Sequence, residues 1–314
     1  MITYPSSVTG IIKEFNIDCD KKYGQCFLVD NNALDKIAAL ADIKKNDLVI
    51  EIGSGPANLT ARLAAAAAHV MAFETDRNLF KIYDKYFKGS NVTFYQTDFL
   101  KADITALINK LEAAGLSYSR VKTVSNIPYY ITSQIIEKLL YSKIDFTDIY
   151  LLIQSDVASR IAAAPGGKDY SILSVACALK SKASVIEKIA RTCFCPAPEV
   201  ESALIRLEPI KRPADENFKE YIFFAVVKSA FNQRRKVAVK AIANNIERVS
   251  IINGYDERFS LFLKKSELKS VFGDIFEKSG IAPLARAQDI SCGDYIAISC
   301  RLGGLFEQSL TGRK

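Results

Sequence analysis

The sequence predicts an α/β fold: a mostly parallel, Rossmann-like sheet with helices on both faces, followed by a smaller all-helical domain. Three observations predict it. Between residues 47 and 153, short β-branched apolar runs alternate with segments of helical period, as in a parallel sheet covered on both sides. The first of those runs ends at Gly-Ser-Gly, a strand–turn–helix junction. Beyond residue 217 the helical period continues without strand alternation.

The elements follow in order. "DLVIEI" (47–52) is the first strand of the alternation, and "NLTARLAAAAA" (58–68) supplies strong helix formers. "HVMAFE" (69–74), "NVTFYQTD" (91–98), "VKTVSN" (121–126) and "DIYLLIQ" (148–154) read as four further strands. Between them, "NLFKIYDKYF" (78–87), "TALINKLEAAG" (105–115) and "SQIIEKLLYS" (133–142) read as amphipathic helices. Two more apolar runs, 183–190 and 202–210, are expected to add strands at the sheet edge. "EPIKRPADEN" (208–217) mixes proline with charge and reads as a linker, which gives domains of 1–210 and 211–314.

Composition narrows the function classes. Lys and Arg number 42 against 35 Asp and Glu, and residues 211–314 hold 18 basic against 12 acidic residues, +6 of the net +7. The basic surplus therefore sits in the helical domain, either as a solvated face or as a nucleic-acid contact. Seven scattered cysteines and one histidine, His69, fit neither a disulfide framework nor a four-ligand zinc site, so no metal is expected. No secretory pattern opens the chain and no apolar run reaches the length of a membrane span. A reducing cytoplasm is the expected location, and nothing demands a dimer, so a monomer is expected.

The strand ends carry the chemistry. Gly53 and Gly55 would let backbone approach a ligand beside a helix N-terminus, but Asn58 stands where a dinucleotide fingerprint has its third glycine. That disfavours a pyrophosphate. Glu74 closes the next strand, where a carboxylate can accept both ribose hydroxyls; Asp98 and Asn126 close the two after it. Polar side chains at successive strand C-termini line one crevice. A glycine turn, a ribose carboxylate and an adenine-facing Asp, without a pyrophosphate seat, fit S-adenosylmethionine. Asp98 alone could equally cap the next turn.

"NIPY" (126–129) resembles the N-[IL]-P-[YF] motif of methyltransferases that act on planar amino groups. "KKYGQCFLVD" (21–30), "VIEIGSG" (49–55), "FCPAPEVESALIRL" (194–207), "AFNQRRK" (230–236) and "GIAPLARAQDIS" (280–291) resemble, in order, blocks of the ribosomal RNA adenine dimethyltransferases of the KsgA/RsmA family. The resemblance covers residues 20 to 300 and implies a class I S-adenosylmethionine-dependent methyltransferase. Its substrate would be two adjacent adenosines in the 3′-terminal hairpin of small-subunit (16S) ribosomal RNA, within a pre-30S particle.

By position, the resemblance implies cofactor contacts from Gln25, Leu28, Gly53, Glu74, Asp98 and Asn126, with Gly55 in the same turn. It also implies catalytic roles for Asn126, the Ile127 carbonyl, Pro128 and Tyr129, and a second base-stacking ring from Phe194. Tyr130 reads as a packing or rim residue. Two residues depart from the family pattern. Cys26 replaces an Asn or His near the cofactor, where its backbone could still serve, and Ala57 replaces a glycine, which suggests a slightly different turn after Pro56. For RNA, Arg234, Arg235 and Lys236 fall at helical spacing, and Lys21 and Lys22 flank the G-Q-C-F-L block; both groups could bind phosphate. A large-subunit RNA or DNA adenine methylase, and a non-enzymatic assembly factor with a vestigial pocket, remain open alternatives.

Overall fold

The computed structural model describes residues 4–5, 7–17, 26–211 and 215–312. The chain divides into two compact units, one of Met1–Ser159 with Ser181–Ile210, the other of Arg160–Lys180 with Lys211–Lys314.

The first unit opens with α1 (Val8–Glu14), β1 (Phe27–Leu28) and α2 (Asn31–Leu40). The strand–helix alternation then runs β2 (Asp47–Ile52), α3 (Asn58–Ala66), β3 (His69–Glu74), α4 (Phe80–Tyr86), β4 (Val92–Gln96), α5 (Ile104–Ala113), β5 (Arg120–Asn126), α6 (Thr132–Leu140) and β6 (Phe146–Gln154). After α7 (Ser155–Ile161) and α8 (Ile172–Lys180), the chain returns through β7 (Ser181–Ile189), β8 (Phe194–Cys195) and β9 (Ser202–Pro209). The main sheet has the order β4-β3-β2-β5-β6-β9-β7. Its first five strands are parallel and β9 and β7 pair antiparallel. All six residues of β2 are buried, as a central parallel strand covered on both faces requires.

The chain moves outward from β2 through β3 to β4, then crosses back to lay β5 against the other side of β2. That reversal opens a crevice at the strand C-termini. Buried charges lock the opposite end. Asp47 accepts two hydrogen bonds from Arg120, at 2.7 and 2.8 Å, which ties β2 to β5. Lys122 donates to the carbonyls of Ala41 and Asp42 at 2.8 and 3.2 Å and lies 3.4 Å from Asp148, which Arg206 also pairs. Each buried charge there has a partner, so the core avoids the larger cost of an unpaired charge.

The second unit comprises α8 and then α9 (Glu220–Asn232), α10 (Ala238–Ile252), α11 (Glu257–Lys265), α12 (Leu268–Lys278) and α13 (Cys292–Thr311). Its core joins Val175 and Leu179 of α8 to Phe223, Ile242, Phe259, Phe272, Tyr295 and Phe306. Residues 160–180, which the sequence reading left inside 1–210, belong to this core. The physical reason is that α8, "ILSVACALK", is apolar on most sides, and Tyr170 sends its hydroxyl to the Ile290 carbonyl at 3.1 Å. α13 packs closely enough on the segment before α9 that a Cβ at Gly303 would lie 2.2 Å from the Asn217 carbonyl oxygen. Among the described residues no helix is long and apolar enough to cross a membrane.

Candidate active site

The Gly-Ser-Gly turn leaves β2 with Gly53 at φ 73° and Gly55 at φ 52°, both left-handed. A Cβ on Gly53 would meet Pro128 Cδ at 3.4 Å and the Asn126 carbonyl at 3.6 Å, so this glycine lets the turn lie against the NIPY segment. Every N–H of the turn is committed inside the protein. Gly53 and Ser54 donate to the Phe73 carbonyl at 2.9 and 3.1 Å, and Ala57 donates to the Ser54 carbonyl at 2.9 Å. Gly55 donates to Glu74 Oε2 at 3.0 Å, and Pro56 has no N–H. A phosphate-binding loop needs free N–H groups aimed at the ligand. This turn offers none.

Ala57 takes left-handed backbone, the conformation glycine adopts most readily, at φ 67° and ψ 21°. Left-handed backbone costs an alanine about 1–2 kcal/mol. Its fully buried methyl packs among Phe27, Leu79 and Tyr83, which offsets about 0.8 kcal/mol of that.

A cavity of about 650 Å³ opens over these strand ends, lined by Cys26, Gly53, Gly55, Glu74, Asp98, Asn126, Ile127, Pro128 and Tyr129. Such a volume suits a nucleoside-sized ligand. Glu74, at the end of β3, is buried; its Oε1 accepts from the Thr75 and Asp76 N–H groups at 2.7 and 3.0 Å. These bonds, with the Gly55 N–H on Oε2, fix the carboxylate in the wall of the cavity. Asp98 Oδ1 accepts from the Leu100 N–H at 2.9 Å, so the residue both caps its turn and lines the site.

Asn126 closes β5, and its Nδ2 donates to the Cys26 carbonyl at 3.2 Å. Only the amide nitrogen can serve a carbonyl, so the bond sets which way the side chain faces and keeps Oδ1 as an acceptor. Pro128, at φ −61° and ψ 127°, turns the chain after the buried Ile127. The half-buried Tyr129 shares a 2.6 Å hydrogen bond with Ser202 Oγ, and burial raises its phenol above the ordinary range, so it stays protonated. Tyr130 is 72% exposed at the cavity rim.

Two expected site residues lie elsewhere. Phe194 and Leu28 are opposite each other in the β1–β8 pair and share one face of it. Both are buried in the cluster with Leu34, Leu59 and Val124 and neither lines the cavity. Their bulk satisfies the core, and Leu28 contributes a backbone carbonyl, to which Asn58 Nδ2 donates. Gln25, Lys21 and Lys22 lie outside the described residues. The sequence reading missed Phe27, Phe73, Asp76 and Phe99 on the cavity wall. The one local signal was the aromatic directly after Asp98; Phe99 meets Phe73 edge-on at 5.3 Å.

Arg234, Arg235 and Lys236 are not on a helix but in the turn between α9 and α10, because α9 ends at Asn232 and the Lys236 N–H closes on the Gln233 carbonyl at 2.8 Å. Arg235 and Lys236 are exposed. Arg234 instead donates from Nε to Gln288 Oε1 at 3.0 Å and from Nη2 to the Lys168 carbonyl at 2.6 Å, tying three segments of the second unit together.

A reversed parallel sheet with antiparallel β9 and β7, and a strand-end cavity holding a carboxylate but no phosphate seat, define a class I S-adenosylmethionine-dependent methyltransferase. A family model described as ribosomal RNA adenine dimethylase matches residues 17–253. The chain is 36% identical over 300 residues to ribosomal RNA small subunit methyltransferase A of Lactiplantibacillus plantarum, covering 95% of both chains. It belongs to the ribosomal RNA adenine dimethylase family, and its cofactor is S-adenosylmethionine. In fold it is similar to a dimethyladenosine transferase from Plasmodium falciparum (TM-score 0.69, 24% identity, 91% of this chain and 98% of that one). It is also similar to the 23S rRNA methyltransferase ErmE (TM-score 0.61, 23% identity, 88% of this chain and 99% of that one).

Proposed function

We propose that this protein dimethylates N6 of two adjacent adenosines in the 3′-terminal hairpin of 16S ribosomal RNA, acting as a monomer on a pre-30S particle. The observation that carries the reading is the oriented Asn126 amide, with Oδ1 kept as an acceptor next to the Ile127 backbone in the cavity.

Bound in the cavity, S-adenosylmethionine supplies an electrophilic methyl group on a sulfonium sulfur. The residues that would hold it are Glu74, through the ribose hydroxyls, and Asp98, through the adenine amine. An acceptor adenine is a poor nucleophile because its N6 lone pair is delocalised into the ring. Asn126 Oδ1 and the Ile127 carbonyl accept hydrogen bonds from its two N–H groups and favour a pyramidal nitrogen whose lone pair is available. Pro128 holds the Ile127 carbonyl in place. Tyr129 offers a ring face to the flipped base, a contact worth about 1–3 kcal/mol. Tyr130, exposed at the cavity rim, offers a further aromatic surface there. No strong base is needed, because the alkylated nitrogen releases its proton readily; orientation supplies most of the rate. A singly methylated N6 keeps one proton for a second transfer. Arg235 and Lys236 would position the RNA backbone without reading its sequence.

The test is transfer of labelled methyl groups to purified immature small subunits, to large subunits and to duplex DNA, followed by mass analysis of the adenosines. Dimethyladenosine confined to small-subunit RNA is expected. Label only in large subunits or DNA would refute the assignment, and failure of the intact protein to bind the cofactor would favour an assembly factor.

A further inference from the structure

Tyr83 lies on α4, outside the cavity, and is buried. Its ring stacks on Phe94 with centroids 3.8 Å apart and 9° between planes, which fixes where the hydroxyl points. That hydroxyl donates to the Gly55 carbonyl at 2.6 Å and stands 3.0 Å from Ser54 Oγ. With its one proton given to Gly55, it must accept from Ser54. The same Gly55 donates its N–H to Glu74 Oε2 at 3.0 Å. Both polar groups of Gly55 are therefore held from opposite sides, one by the cofactor-site carboxylate and one by a phenol behind the turn. Burial keeps that phenol's proton well above the ordinary tyrosine range, so it serves as a fixed donor and not as an acid or base. A second phenol repeats the arrangement one residue on: the Tyr4 hydroxyl donates to the Pro56 carbonyl.

We infer that Tyr83 is a positioning residue for the methyl donor: with Ser54 it fixes the Gly55 peptide, and through it the orientation of Glu74 toward the ribose. The turn needs such a brace. It carries left-handed backbone at Gly53, Gly55 and, against its residue type, Ala57. Its N–H groups are turned inward, so no contact from a bound anion could rigidify it. A turn left to fluctuate would have to be ordered on every binding event, at the expense of affinity. The inference rests on Glu74 as the ribose acceptor.

The experiment compares Tyr83→Phe, Ser54→Ala and Ile82→Val in the full-length protein. Calorimetry gives S-adenosylhomocysteine affinity and melting temperature, and steady-state assays on small subunits give KM for S-adenosylmethionine and kcat. Tyr83→Phe keeps the ring stack and removes only the hydroxyl. It is expected to weaken S-adenosylhomocysteine binding and raise KM about tenfold, with kcat at saturating cofactor within about twofold; Ser54→Ala follows with about threefold. Ile82→Val loses packing in the same cluster without removing any hydrogen bond of the turn, and is expected to lower the melting temperature with unchanged affinity. If Tyr83→Phe lowers only the melting temperature, as Ile82→Val does, Tyr83 is structural and the inference fails while the cofactor site stands. If Glu74→Gln leaves affinity unchanged, the ribose assignment fails and takes the inference with it.

Discussion

At the strand ends of the first unit, every N–H of the Gly turn and the Asn126 amide nitrogen are held by other protein groups. In the turn between α9 and α10 of the second unit, two of three consecutive cations reach solvent and the third is absorbed into the scaffold. The first region is preorganised: few polar groups, each held by a partner within the protein. The second offers charge whose geometry is loose, which suits a phosphate backbone that must be gripped but not read. A site that must orient a lone pair tolerates little freedom, and a site that must only attract an anion tolerates much.

The sharpest way to break this comparison is Asn126→Ala. Removing the oriented acceptor should cut methyl transfer about a thousandfold while RNA affinity, measured by filter binding, stays within about twofold. Equal loss of both would mean that the strand-end site and RNA binding are not separable. Gly303→Ala attacks the other region. Its Cβ would collide with the Asn217 carbonyl, so the second unit should lose about 2–3 kcal/mol in denaturant titration while S-adenosylhomocysteine affinity is kept.

Glu51 sharpens the electrostatic side. It is fully buried on β2 with Oε2 unpartnered, and burial, reinforced by the charge of Glu74, pushes its carboxyl from 4.5 up to about 8. The folded protein therefore holds a proton that the unfolded chain releases above about pH 4.5. Stability should fall as pH rises from about 5 to about 8, by on the order of 4 kcal/mol. Glu51→Gln should flatten that slope in thermal melts; an unchanged slope would place its source elsewhere. The smallest effects separate Arg234 from its neighbours. Arg235→Ala should reduce the salt dependence of RNA binding by about one phosphate's worth. Arg234→Ala should leave that slope alone and cost about 1 kcal/mol of stability, since its hydrogen bonds are internal.

The strand-end site was legible because a parallel α/β sheet converts chain order into geometry. A polar residue closing each successive strand reaches one crevice whatever the side-chain details, so Gly53, Glu74, Asp98 and Asn126 needed only their order. That logic does not reach Leu28 and Phe194, which the family resemblance alone supplied: they sit on a two-stranded pair outside the main sheet, and both side chains pack in the core. Arg234 failed it because a run of cations looks the same on a helix and in a turn.

By itself, then, the sequence determined the alternation of strands and helices, the strand-end residues, the helical character of the second unit and the family. These follow from local periodicity and from topology that local periodicity implies. Tertiary structure alone decided that residues 160–180 join the second unit, that the Cys26 carbonyl accepts from Asn126, and that the Tyr83 hydroxyl donates to the Gly55 carbonyl. Each depends on a contact between residues distant in sequence, and such contacts leave no period or spacing for a linear reading to find.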